Sequence, residues 1–220
     1  TDISFSQGPM DVLDHSCSKM GFGGKMCIDG TRKFDEEMAD EYLFPTLRSI
    51  PDIQTIRTEF PEIHHINTNL IDWGIPVLIL SVQKNRPGHI RQLHQQFCAQ
   101  PQWEGLKMIL YVEHNVNAND LPVALWRFCN NLDPKRDHIL HEKTAAQDPS
   151  KKTACLGLDG TRKTKELDGF SRDWPNIIVA ADDTIAAVDA KWDKLGLGAF
   201  IHSPSLRFKE QMYGEEAVVN

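Results

Sequence analysis

Long apolar runs are missing from this 220-residue sequence. The longest, Ile75–Val82, falls far short of the roughly 20 residues that cross a bilayer core, so no membrane insertion is expected. A basic excess is also missing: 24 Lys+Arg face 31 Asp+Glu, for a net charge of −7. That balance gives a nucleic-acid partner no phosphate-neutralising face. Cysteine is sparse and unpaired in spacing. Five residues (Cys17, Cys27, Cys98, Cys129, Cys155) are an odd number with no CxxC, which reads as the reduced thiols of a cytoplasmic protein. The opening TDISFSQGPMDV has neither the basic nor the apolar stretch of a targeting peptide, and a start at Thr1 reads as a cut. GxSxG, GxxxxGK[ST] and a strand-flanked GxGxxG are absent too. His64 and His65 are adjacent and His89 and His94 are five apart, so neither pair shares a helix face as zinc ligands at i, i+4 would. No catalytic residue, cofactor-binding residue or metal ligand is therefore read from spacing.

What is present is ordinary globular composition, 40% hydrophobic and 25% charged, with a clear α/β rhythm. The run IPVLILSV leads through Arg86-Pro87-Gly88 into a helical pattern and then a second run, MILYV. This predicts two parallel strands joined by a helix that buries Ile90, Leu93, Phe97 and Cys98 and leaves Arg91, Gln92, His94 and Gln95 outside. Asp120 is a candidate N-cap for a second helix with Leu121, Leu125, Phe128, Cys129 and Leu132 as its buried stripe, ended by Asp133-Pro134. Ile177–Ala180 reads as a short buried strand. A third helix is expected from an Asp183 N-cap to Gly196. The expectation is one layered α/β domain over 1–220, with a largely parallel sheet flanked by helices. It comprises a less regular segment at 1–74 with short helices, a core unit at 75–195 and an arm at 196–220.

Two features offer chemistry. GFGGK at 21–25 either presents backbone N–H groups to a phosphate, with Lys25 as a point charge, or is a plain turn. The heptamer CIDGTRK at 27–33 recurs as GLDGTRK at 157–163, too far apart for a solenoid and so a duplicated local element. Its Arg32, Lys33, Arg162 and Lys163 read as anion ligands or as exposed basic pairs on Asp-Gly turns. Glu113 and His114 stand at the end of the second strand, where open α/β sheets place ligands. A solvated loop pair is the plainer reading. Trp103, Trp126, Trp174 and Trp192 are core or interface residues on the plainest view.

The run MILYVEHNVNANDLPVALWRFCNNLDPKRD at 108–137, then LGLDGTRK at 156–163 and GFSRDWP at 169–175, resembles the C-terminal part of UbiD-type decarboxylases. These include 3-octaprenyl-4-hydroxybenzoate carboxy-lyase. The matching positions are Asn117, Trp126, Asp133, Pro134, Arg136, Asp137, Asp159, Thr161 and Lys163, and SVQKNRPGH at 81–89 fits the family's strand-to-helix passage. One departure is the segment at 8–33, which looks like the family's stretch after the DPxRD turn yet precedes it here. The resemblance implies non-oxidative decarboxylation of an aromatic acid, in quinone biosynthesis, by a full-length enzyme using prenylated FMN with a divalent metal and potassium. The family's flavin pocket and acid/base network lie in an N-terminal half that nothing here resembles. This chain then reads as the active-site-closing and oligomerising domain, inactive alone, partnered by that flavin-binding half and forming a homo-oligomer. By the same resemblance Gln7, Pro9 and Met10 approach the substrate pocket.

Two other readings stay open. One is a non-catalytic assembly module of the same fold. The other is a phosphate- or nucleotide-binding domain using GFGGK and the DGTRK turns. Fold alone does not decide among them, because sites rather than folds carry function.

Overall fold

A computed structural model describes residues 2–38, 40–47, 49–213 and 218–219. The chain divides into two compact units, Thr1–Trp174 and Pro175–Asn220. Among the described residues no helix is long and apolar enough to cross a membrane.

The first unit opens with a hairpin of β1 (Ile3–Pro9) and β2 (Phe22–Ile28), which pair antiparallel from Ile3 opposite Ile28 to Pro9 opposite Phe22. Short elements follow: α1 (Ile53–Glu59), capped by the Asp52 carboxylate, then β3 (Ile63–Asn67) and α2 (Asn69–Asp72). The expected strand–helix–strand unit is β4 (Val77–Val82), α3 (His89–Ala99) and β5 (Met108–Glu113). Its strands run parallel, with Val77 opposite Met108. Next come α4 (Leu121–Asn131), α5 (Pro134–Asp137), β6 (His138–Thr144), β7 (Lys152–Asp159) and α6 (Lys165–Asp168).

Five strands form one mixed sheet in the order β3-β4-β5-β7-β6. The layered α/β class holds, and the parallel pairings are those of the central strands β4, β5 and β7. Both outer strands pair antiparallel with their neighbours. The central strands are apolar nearly throughout because they are covered on both faces. Leu78, Leu80, Ile109 and Tyr111 meet Ile90, Leu93, Phe97 and Cys98 of α3 in the main core, closed by Ile56, Phe60 and Trp103. Each fully buried Leu or Ile there contributes about 1.5–3 kcal/mol.

Four sequence expectations need correction. His94 is fully buried rather than outside. Its ring lies against Gly157 of β7, where a Cβ would stand 2.7 Å from Nδ1. Both ring nitrogens are bonded, Nδ1 to the Tyr111 hydroxyl at 2.9 Å and Nε2 to the Cys155 carbonyl at 3.2 Å. The buried stripe of α4 is Val123, Ala124, Arg127, Phe128 and Asn131, whereas Leu125 and Cys129 are exposed. The helix is turned so that two polar residues reach a buried carboxylate. Asp120 does cap it, accepting from the Val123 N–H at 3.4 Å. The helical reading of Ile63 and Ile66 gives way to β3, whose register shifts between Ile63 and His65. That bulge spaces two buried residues three apart, imitating a helix.

The fourth correction is in the second unit. Its elements are β8 (Val179–Ala180), α7 (Asp182–Asp189), 3-10 turns at Trp192–Leu195 and Pro204–Gln211, and β9 (Val218–Val219). The N-cap of α7 is Ala181, and Asp183 lies inside the first turn, accepting from the Thr184 N–H at 2.8 Å. Gly196 takes the left-handed conformation expected of a helix stop, at φ 65°. β8 pairs with β9, parallel, in a separate two-stranded sheet. The expected arm at 196–220 is thus a 3-10 turn and a short strand, its residues 214–217 and 220 lying outside the described ones.

Candidate functional site

A cavity of about 510 Å³ with several charged side chains in its lining opens beside the C-terminal ends of β4 and β7 in the first unit. Open α/β sheets place ligands at that end. Lys84, Gly88, Arg136, Asp137, Asp159 and Lys163 line it. Gly88 caps α3 at φ 70°, so the positive end of an eleven-residue helix faces the cavity. Asp133 caps α5 through the N–H groups of Lys135 and Arg136. That cap sets Arg136 and Asp137 on the cavity wall.

The charges of this wall neutralise one another. Lys84 binds both oxygens of Asp168 at 2.8 Å. The Arg136 guanidinium makes two bonds of 2.7 Å to the Asp137 carboxylate. Lys163, almost wholly buried, lies 3.3 Å from Asp159 and 3.7 Å from Asp137. Its ammonium also donates to the carbonyls of Asp159 and Thr161. Burial pushes Asp137 up from the ordinary carboxylate value, with Lys163 and Arg136 pulling against it. Burial pushes Asp159 up as well, but there Lys163, Lys84 and the Thr161 bonds prevail and hold it low. Two carboxylates on one ammonium are thereby driven apart, the arrangement that favours a proton on Asp137 over Asp159.

A second network lies behind the end of β5. Glu113 is buried, not a solvated loop residue. It pairs with Arg127 at 2.7 Å and accepts from Asn131 at 3.3 Å and from the Arg162 backbone N–H. His114 is half-buried, edge-on to His64. This explains the rotation of α4: burying a lone carboxylate is costly, and Arg127 and Asn131 face inward to satisfy it.

The two DGTRK copies fold alike. Asp29 stands just past β2 and Asp159 is the last residue of β7; each accepts from the N–H and hydroxyl of the threonine two residues on, and the lysine four residues on returns to it. Lys33 and Lys163 are thus committed to carboxylates instead of standing as exposed basic pairs. The copies differ in setting, since the first is at the surface and the second is buried on the cavity wall. Arg32 is exposed. Lys25 is exposed on β2, with its stem along Gly8. Of the five basic residues read as anion ligands, Lys163 alone lines the cavity. Gln7 and Pro9 are exposed at the end of β1, and Met10 is half-buried beyond it. The loop after them is pinned from below: Arg136 donates to the Ser16 carbonyl and Arg172 to the Cys17 carbonyl. Lys84 and Asp168 were not read as site residues. The visible signal for Lys84 was its position two residues past a buried strand, before Pro87-Gly88.

The model of the 3-octaprenyl-4-hydroxybenzoate carboxy-lyase C-terminal domain matches residues 41–160. An uncharacterized protein of Aeropyrum pernix is 29% identical over 156 residues, covering 67% of this chain and 31% of the relative. One from Helicobacter pylori strain J99 is 29% identical over 176 residues, covering 77% of this chain and 24% of the relative. The chain therefore spans about a quarter to a third of these relatives. Among solved structures, the closed form of Sedimentibacter hydroxybenzoicus vanillic acid decarboxylase is similar at TM-score 0.48 and 14% identity, covering 64% of this chain and 30% of that one. An evolved dimeric form of the UbiD-class enzyme HmfF from Pelotomaculum thermopropionicum, in complex with prFMN, gives TM-score 0.40 and 17% identity over 68% of this chain and 28% of that one.

Proposed function

The chain belongs to the family of 3-octaprenyl-4-hydroxybenzoate carboxy-lyase C-terminal domains, and from that membership we propose that it is the active-site-closing and assembling domain of a UbiD-like carboxy-lyase. The reaction is non-oxidative decarboxylation of an aromatic acid, in quinone biosynthesis, and this chain alone is inactive. The observation that carries the reading is the extent of the family match, which takes in every strand of the five-stranded sheet.

In this reading a flavin-binding N-terminal half of the same cytoplasmic, homo-oligomeric polypeptide holds prenylated FMN with a divalent metal and potassium. The cavity described above does not fit that group. Lys84, Arg136 and Lys163 are each spent on a carboxylate, which leaves none of the three for a flavin phosphate, and no chemical step is assigned to them. The domain's contribution is positional. Its hairpin carries Gln7, Pro9 and Met10 toward the substrate, and the loop that follows them is fixed by Arg136 and Arg172.

The test is to combine this chain with a separately expressed flavin-binding half and follow carbon dioxide release from a panel of aromatic acids. Release from the complex and none from this chain alone is the expected result. A complex that forms and decarboxylates no aromatic acid overturns the reading.

A further inference from the structure

The burial of His94 brings together side chains that no sequence spacing of histidine pairs could show. His94 and Cys98 stand at i, i+4 on α3, so both project from one face onto the sheet. Beneath them on β7 is Cys155, and the ligating atoms of His94, Cys98 and Cys155 all lie within 4.8 Å of one another. Directly across the strand pair from Cys155 is His141 of β6. Direct partners in a sheet project to the same face, and the His141 ring lies edge-on to His94 with centroids 6.5 Å apart. Its Nε2 is buried and has no hydrogen-bond partner. A void of about 10 Å³ touches Cys98, His141 and Cys155, which is room for one atom-sized occupant.

We propose that His94, Cys98, Cys155 and His141 form a binding site for one Zn²⁺ ion, a Cys₂His₂ centre clamping α3 to the β6–β7 edge of the sheet.

Three observations support it. The first is distance. Zinc–sulfur and zinc–nitrogen bonds of about 2.3 and 2.0 Å in a tetrahedron place neighbouring ligand atoms about 3.3–3.8 Å apart. Cys98 Sγ is already 3.7 Å from His94 Nδ1 and 3.8 Å from Nε2. The second is tautomer. Because a carbonyl oxygen accepts only, the bond to Cys155 puts the proton of the neutral ring on Nε2 and leaves Nδ1 as the lone-pair nitrogen, which accepts from the Tyr111 hydroxyl. A histidine ligand is ordinarily held in this way, by its other N–H on a carbonyl. The third is charge. Two thiolates and one Zn²⁺ sum to zero, so the loaded centre is neutral in a site where a net charge would be costly. On binding, each thiol gives its proton to solvent and the Tyr111 hydroxyl turns from Nδ1 to a thiolate sulfur.

A disulfide between Cys98 and Cys155 would use the same two sulfurs, and the experiment separates the two outcomes. The reduced, purified protein is titrated with Zn²⁺ against a chromophoric chelator and, in parallel, with Co²⁺. The expected result is one equivalent of each, with a sulfur-to-cobalt charge-transfer band and tetrahedral d–d bands that one equivalent of Zn²⁺ bleaches. Cys98→Ser and Cys155→Ser abolish the charge-transfer intensity stepwise, whereas Cys27→Ser and Cys129→Ser, both at exposed thiols, leave it intact. Tyr111→Phe, which removes the outer partner, weakens Zn²⁺ binding about tenfold. Should the core serine variants fail to fold, His141→Gln on the outer strand still reports, by lowering Zn²⁺ affinity at least tenfold with the circular dichroism unchanged. No stoichiometric uptake by the folded, reduced protein overturns the proposal. So does a metal-free Cys98–Cys155 disulfide that re-forms in the presence of Zn²⁺.

Discussion

Gly24 lies directly beneath the helix cap Asp133: a Cβ on Gly24 would stand 2.0 Å from Asp133 Oδ1 and 2.5 Å from the Lys135 backbone nitrogen. The glycines of GFGGK therefore serve close approach. Gly23 is the companion case, with Cys17 Sγ where its Cβ would be. The segment lets the β1–β2 hairpin settle against α5 while Asp133 keeps its cap.

Gly24→Ala should displace that cap and lift the hairpin from α5. Because one of the close atoms is backbone, the Lys135 nitrogen, it cannot simply swing away, so a loss of about 1–3 kcal/mol is expected. Urea unfolding of the variant would show a lowered midpoint. Gly30→Ala is the control, since a Cβ there meets nothing within 4 Å, and its midpoint should barely move.

The Glu113–Arg127 pair is buried on both sides. Arg127→Leu leaves the carboxylate without its cation and should cost about 3–5 kcal/mol, whereas Glu113→Leu with Arg127→Leu should cost clearly less than the two single changes summed. A double-mutant cycle by chemical denaturation measures this. Additive single costs would show that the two residues do not act as a pair.

The two DGTRK copies, each an aspartate clasped by its own threonine and lysine, should respond unequally to the same change. Asp159→Asn removes the nearer of two counter-charges from an almost fully buried lysine and should destabilise by about 1–3 kcal/mol. Asp29→Asn acts on an exposed clasp and should leave the melting temperature nearly unchanged, because water and salt screen such pairs. Calorimetry on the two variants compares them directly.

Acidification should weaken the fold through its histidines. Burial, the largest cause in each case, lowers His15, His65 and His114 below the ordinary histidine value. The unfolded chain therefore binds more protons than the folded one below about pH 6.5, so stability is full above that value and falls as pH drops through the folded-state values. Denaturant midpoints between pH 7.5 and 5 should decline, and His15→Gln should flatten the decline.

Much of the central sheet was legible because strands covered on both faces write themselves as unbroken apolar runs, as 77–82 and 108–113 do. The outer parts were harder for physical reasons. β1 alternates only over Ile3–Ser6, with Ile3 and Phe5 half-buried and Ser4 and Ser6 exposed, and its one buried residue is Gly8, so the period-two signal is too short and too weakly apolar to mark a strand. The bulge in β3 gave Ile63 and Ile66 a helical spacing. In α4 the inward face is partly polar, since Arg127 and Asn131 serve Glu113 from a distance in sequence that periodicity does not span. His94 was misplaced for the converse reason: the space it fills is made by an absent side chain at Gly157, on a strand sixty-odd residues away. The cavity wall was partly visible, because Arg136, Asp137, Asp159 and Lys163 fall within the motifs that carry the family resemblance. Their mutual neutralisation was not, because it depends on how three separate elements converge.

The self-contained form of the DGTRK clasp has a consequence for how this chain could acquire a second one. Its threonine bonds and its lysine's counter-ion all come from within five residues. Such a unit is portable: transplanted to the end of another strand, it brings its own neutraliser and leaves no lysine in search of a carboxylate. Surface and interior can then receive the same five letters, and the host's surroundings alone decide how much each copy is worth.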